Sequence, residues 1–169
     1  EAFRIRKAFR LGDLEYSYLN LASLRACQRD FDSALKLADA GLAARGASRS
    51  LKPVWGIWHQ RGFIEEECGR LANALRDYQQ SLEYLRRWRA EEPSPDALRL
   101  NTDASVHYIY QDAIRTGNRL ALRTGNAELA RQTFGIAEDH RAASLRARWN
   151  LPSDWRNRLP KEYWEVLPQ

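Results

Sequence analysis

The chain has 169 residues, a net charge of +5 with a pI near 9.5, and a mean hydropathy of −0.65. That length suffices for one domain with a real core, no apolar run reaches the ~18 residues of a membrane span, and no signal peptide is visible. Basic and acidic residues stand nine to six in 1–50, eight to eight in 51–100 and ten to eight in 101–169, so acids interleave with bases and no basic stripe marks a nucleic-acid binder.

Residues 1–11 (EAFRIRKAFRL) space Ala2, Ile5, Ala8 and Phe9 as the end of an amphipathic helix does. Gly12 ends it, and Asp13 is placed to cap the next. The chain starts at Glu and contains no Met, so these residues read as the end of a repeat that begins upstream, in a longer protein. Leu14–Cys27 predicts the next helix, Gln28–Asp30 a corner, and Phe31–Ala44 a partner helix closed by Gly46.

A second unit of the same kind follows. Pro53 suits a helical first turn, and the helix runs to a corner at Gly69-Arg70-Leu71, where Gly supplies a left-handed residue. The partner helix extends to about Ala90. Trp58, Arg61, Gly62 and Glu65 match Tyr18, Leu21, Ala22 and Arg25 forty residues earlier, and Ala74, Tyr78 and Ser81 match Ala34, Ala38 and Gly41. Small residues at Gly62, Ala74 and Ser81 let two helix axes approach, with Trp58 and Tyr78 beside them. Such a hairpin cannot bury its apolar face alone and needs neighbours of the same kind.

Glu91-Glu92-Pro93-Ser94-Pro95 breaks the pattern, and Ser94 with Pro95 restarts it. The third unit is longer. Its first helix is predicted from Pro95 to Thr124, with Val106, Ile109, Tyr110, Ala113, Gly117, Leu120 and Ala121 as its periodic face. Gly125-Asn126 makes the corner. Ala127–Arg148 follows, with Ala130, Phe134, Ala137 and Arg141 at helical spacing, so that Ala130 takes the place of Ala74. The units are bounded at 13–46, 50–92 and 95–149. The tail 151–169 carries three prolines and the tryptophans Trp155 and Trp164, and reads as a linker.

Chemistry-bearing motifs are few. No phosphate loop, nucleophile elbow or HExxH is present, so no catalytic constellation is expected. His59, His107 and His140 lie on three different helices, and none pairs with His or Cys at the short spacings of a structural zinc site; no metal and no cofactor are expected. Cys27 and Cys68, near helix ends beside the packed face, read as buried reduced thiols. Glu65-Glu66-Glu67 spreads three carboxylates around one helix and reads as a solvated face.

The signature of a large then a small residue, a turn, and Ala–x3–aromatic or small–x2–small resembles tetratricopeptide repeats. It is carried by Trp58, Gly62, Gly69, Ala74, Tyr78 and Ser81, over about residues 1–148. The period of forty exceeds the usual ~34, and no unit ends in the usual Pro. The resemblance implies an all-α superhelix of helical hairpins that binds a protein or peptide. A second resemblance, carried by Phe134, Ala137, Glu138, Arg141, Ala142, Ser144 and Leu145, is to the last repeat of CHAT proteins, the caspase- and HetF-associated proteins with tetratricopeptide repeats. It implies a bacterial, cytoplasmic parent that is a cysteine peptidase, with its catalytic residues in a further C-terminal domain and none in this chain. Glu138 and Arg141, spaced to pair, with Trp155 and Trp164, are then the candidate contacts to that domain.

In such a superhelix the first helices line the concave face. Tyr16, Leu19 and Ser23 then line it in unit one, His59, Phe63 and Glu66 in unit two, and Arg115, Arg119 and Arg123 in unit three. Carboxylate-clamp repeats carry Lys and Asn where Leu19 and Ser23 stand, which argues against a receptor for chaperone C-terminal tails. The three arginines suit a carboxylate- or phosphate-bearing partner, or pair with upstream acids. A nucleic-acid-binding helical array is the alternative function.

Overall fold

A computed structural model describes residues 14–44, 52–91 and 96–149. The described residues form six helices and no strand: α1 (Leu14–Cys27), α2 (Phe31–Ala43), α3 (Lys52–Glu67), α4 (Leu71–Glu91), α5 (Asp96–Thr124) and α6 (Ala127–Trp149). The all-α class and the sequence-predicted helix order hold. The leading helix 1–11 and the tail 151–169 lie outside the described residues. No helix among those described is long and apolar enough to cross a membrane.

Helices pair as α1–α2, α3–α4 and α5–α6, each pair joined by a two- or three-residue corner. Each corner reverses the chain through one left-handed residue: Arg29 (φ 61°), Gly69 (φ 75°) and Gly125 (φ 65°). In all three, the N–H of the residue after the left-handed one bonds back across five residues: Asp30 to Arg25 O (3.0 Å), Arg70 to Glu65 O (2.9 Å) and Asn126 to Ala121 O (3.1 Å). Asp30 and Asn126 then cap the next helix by accepting from the amides of Ser33 (3.3 Å) and Leu129 (3.0 Å).

Each hairpin packs an equivalent pair of positions sixteen residues apart between its two helices: Ala22 and Ala38, Gly62 and Tyr78, and Gly117 and Thr133. In the first pair both side chains are small and fully buried in one cluster. In the second, Tyr78 lies flat against the bare backbone of Gly62. In the third, the Thr133 hydroxyl fills the space a Cβ on Gly117 would need, and its proton goes to Leu129 O at 2.8 Å.

The third pair corrects the sequence register. Counting from the corner places Phe134, with Ala130 before it, opposite α5. In the structure Thr133 and Ile136 are buried, while Ala130 is exposed and Phe134 is 63 % exposed. The closest approach is set by Gly117, eight residues before its corner glycine, where Gly62 is seven before its own. The partner therefore shifts back by one. The rest of the α5 face is as read, with Val106, Ile109, Tyr110, Ala113, Gly117 and Ala121 buried and Leu120 half-buried.

The largest core cluster joins Tyr78, Leu82, Leu85 and Trp88 of α4 to Val106, Ile109 and Tyr110 of α5 and Ile136 of α6. Two smaller clusters join the first hairpin to α3 through Ile57 and Ile64. Cys27 is exposed and Cys68 half-buried, both free, so the reading of two buried thiols fails for Cys27, which falls in the last turn of α1 on its outer side.

The two junctions between hairpins differ. Both α1 and α2 pack closely on α3, with Leu19 against Gly56, whereas α5 packs its backbone on α4 and meets α3 through side chains. At the first junction Arg61 of α3 bridges Asp39 of α2 (3.0 Å) and Asp77 of α4 (3.4 Å), its guanidinium over the Trp58 ring at 5.1 Å. Asp77 is buried. Burial pushes its carboxyl up to about 6 against the pull of Arg61, with Glu65 adding to the rise.

Candidate functional site

Because α5 rests on α4, it faces α3 across a cleft that polar side chains bridge. Glu66, in the last turn of α3, is the centre. Its Oε2 accepts from the Tyr78 hydroxyl, the Thr116 hydroxyl and Arg115 Nη2, each at 3.0 Å, and its Oε1 accepts from Arg119 Nη1 at 2.7 Å. Arg115, Thr116 and Arg119 share one stripe of α5. Tyr78 arrives from beneath, on α4, because Gly62 leaves its ring a passage under α3.

Two turns earlier on α3, His59 Nε2 lies 2.7 Å from Asp112 Oδ2. Asp112 is an acceptor, so the His59 proton sits on Nε2. Asp112 also takes Arg115 Nη1 at 2.8 Å, and the His59 ring meets Tyr108 edge-on at 4.7 Å and Tyr78 at 5.4 Å. Arg115 thus links the two acids, and the bridge runs from His59 through Asp112 and Arg115 to Glu66 and Arg119.

Burial opposes the charge on Glu66, but hydrogen bonds from Arg115, Tyr78 and Thr116 outweigh it and hold the carboxyl below the ordinary glutamate range. Asp112 is likewise held low, burial being outweighed by His59 and Arg115. Arg115 is raised, chiefly by its bond to Glu66. Tyr78 is raised by burial and by the Glu66 charge, and Tyr108 by burial. Tyr78 therefore remains a phenol that donates.

Of the nine groove residues expected from the sequence, His59, Glu66, Arg115 and Arg119 come together here. The reading of Glu65-Glu66-Glu67 as one solvated face is corrected: the Glu66 carboxylate is inside the bridge, Glu65 is buried and bonded to Arg70, and Glu67 alone is exposed. Successive helical residues point about 100° apart, which sends Glu65 and Glu66 to packed sides of α3 and leaves Glu67 on its outer side. Arg115 and Arg119 are paired with upstream acids, and each keeps about half of its side chain in water, 52 % and 55 %.

Phe63 (39 % exposed) and Tyr108 (40 %) flank the bridge, and Tyr16 is 37 % exposed on α1. Leu19 is half-buried in the first-hairpin core, and the Ser23 hydroxyl returns to Leu19 O at 3.0 Å, so neither of these two presents a polar group for a ligand. Arg123 stands apart, exposed on the wall of a shallow pocket of about 380 Å³ that includes Gly69, Asn73 and Leu120. Glu138 and Arg141 pair at 2.5 Å on the surface of α6. Trp155 and Trp164 lie outside the described residues.

Asp112, Thr116, Tyr108 and the Tyr78 hydroxyl belong to the site and were not singled out for it from the sequence. Asp112 had a signal, an acid three residues before Arg115 on the arginine stripe. Tyr78 had none, since its ring is a core residue and only its oxygen reaches the cleft. Among the described residues no group of three or more His, Cys, Asp or Glu is arranged to hold a metal ion. No protein-family model, curated protein or solved structure matches the chain.

Proposed function

We propose that the chain is a non-catalytic scaffold of tetratricopeptide-like hairpins that binds a protein or peptide segment along the face of its first helices, α1, α3 and α5. The observation that carries this reading is the bridge itself. Glu66 holds Arg115 and Arg119 in fixed positions while about half of each stays in water, and the same two helices carry the exposed rings of Phe63 and Tyr108. Fixed guanidinium groups beside aromatic surface suit a segment with a carboxylate next to an apolar anchor, at low ordering cost. Pairing with Glu66 and Asp112 lowers the net positive field, which favours a peptide over nucleic acid.

The repeated contact sixteen residues apart supports a superhelix of hairpins. The resemblance of Tyr110–Trp149 to the last repeat of CHAT proteins supports a place beside a cysteine-peptidase domain, as its cytoplasmic sensor arm. The exposed Phe134 and the Glu138–Arg141 pair lie on α6, where an adjoining domain of the same chain would dock.

The test is a random-peptide selection against the 169-residue chain. Enriched peptides are expected to combine an acidic and an apolar residue and to lose affinity in Arg119→Glu and Phe63→Ala. Selection that yields nothing, alongside RNA binding with a steep salt dependence, replaces this reading by a nucleic-acid-binding array.

A further inference from the structure

Sequence spacing separates His107 and His140 by 33 residues, yet the α5–α6 hairpin brings them together. His107 Nδ1 and His140 Nε2 lie 2.9 Å apart, with ring centroids at 4.5 Å and planes inclined by 41°. The site is at the surface: His107 is exposed and His140 half-buried. The Tyr110 ring lies 4.7 Å from that of His140 and backs it from the core side. Among the described side chains, the neighbouring acid Asp139 pairs with Arg86 at 3.1 Å, and Arg89 is drawn to the Tyr110 hydroxyl at 3.3 Å.

We propose that His107 and His140 form a two-imidazole site for a late first-row divalent ion, Cu2+ or Ni2+, that clasps α5 to α6. The chemistry follows from the donors and their spacing. Neutral imidazole nitrogens select the late first-row metals, with Cu2+ favoured over Ni2+. With metal–nitrogen bonds of about 2.0–2.1 Å, two nitrogens 2.9 Å apart subtend roughly 90° at the ion, the cis angle of square-planar or octahedral coordination. A tetrahedral zinc ion needs the pair opened to about 3.3 Å. Binding requires both facing nitrogens deprotonated, so that His107 carries its proton on Nε2 and His140 on Nδ1. Among the described side chains no third donor faces the pair, Asp139 being engaged by Arg86, so water completes the coordination there and the ion is exchangeable.

The test uses the untagged 169-residue chain, freed of metal with a chelator and titrated with CuCl2 and with NiCl2 by calorimetry. One ion per chain is expected, with Cu2+ bound more tightly than Ni2+ and both lost as pH falls and the imidazoles protonate. Losing one of two protein ligands weakens binding by at least about tenfold, the scale seen for outer-shell partners alone, so His107→Gln and His140→Gln each lose that much. Nitrogen hyperfine structure from two imidazoles is expected in the Cu2+ electron paramagnetic resonance spectrum. The proposal is overturned if the wild type takes up no ion, if the His107→Gln/His140→Gln double variant binds as well as the wild type, or if the spectrum shows no imidazole nitrogen. Circular dichroism confirms that each variant keeps its helices, so a loss reads as a loss of ligand.

Discussion

Gly62 and Tyr78 are in contact across the second hairpin so closely that a Cβ on Gly62 would sit 2.6 Å from two carbons of the Tyr78 ring. The contact joins fold to site, because the same ring carries the hydroxyl that reaches Glu66. Gly62→Ala adds about 1 kcal/mol of helix propensity but overpacks the hairpin by about 1–3 kcal/mol. A net loss of stability is expected by urea denaturation. In a Tyr78→Leu background the same change is expected to become neutral or favourable, since the obstacle is gone.

The one-residue shift in the third hairpin gives opposite expectations for two neighbours. Ile136 is buried and Phe134 is not. Ile136→Ala is expected to cost about 2 kcal/mol or more, as truncation of a buried aliphatic does. Phe134→Ser is expected to stay within about 0.5 kcal/mol of wild type, as exposed positions do. The reverse order would restore the register counted from the corner.

Glu66→Gln removes the charge that four donors share. A loss of about 2 kcal/mol at pH 7 is expected, in the range of hydrogen bonds to charged groups. The carboxyl is lowered in the folded state, so its contribution is present above its unfolded pKa of about 4.3 and fades as pH falls through the lower folded value. Stability measured from pH 7 to pH 2 should show a weaker acid limb in the variant than in the wild type.

Asp77 works in the opposite direction. Its carboxyl, raised to about 6, binds its proton more tightly folded than unfolded, where the pKa is about 3.9. This group therefore adds stability as pH falls from about 7 to about 4, on the scale of 2–3 kcal/mol. Asp77→Asn should remove that slope and be the more stable of the two at pH 8. Equal slopes in wild type and variant would mean that Arg61 compensates the buried charge fully.

Much of the fold was legible because local signals agreed. Corners at Gly69 and Gly125 carried their own glycines, caps at Asp30 and Asn126 had the right side chains, and the apolar face of α5 kept a helical period. The first corner was harder, since Arg29 takes the left-handed conformation without being glycine. The seat of Thr133 was not legible, because the position of closest approach is a property of two helices and not of one. The site was half legible for the same reason. Arginines spaced by four announced a stripe, but whether it met Glu66 or solvent depended on the separation of α3 from α5. The meeting of His107 with His140 had no sequence signal at all.

The measurement that tests the scaffold reading most directly is amide hydrogen exchange of the 169-residue chain with the tightest-binding selected peptide, with single-stranded RNA run in parallel. The expected result is new protection in α1, α3 and α5 around Tyr16, Phe63 and Tyr108, weakened in Arg119→Glu and unchanged by RNA. Protection confined to α2, α4 or α6, or appearing only with RNA, would contradict it.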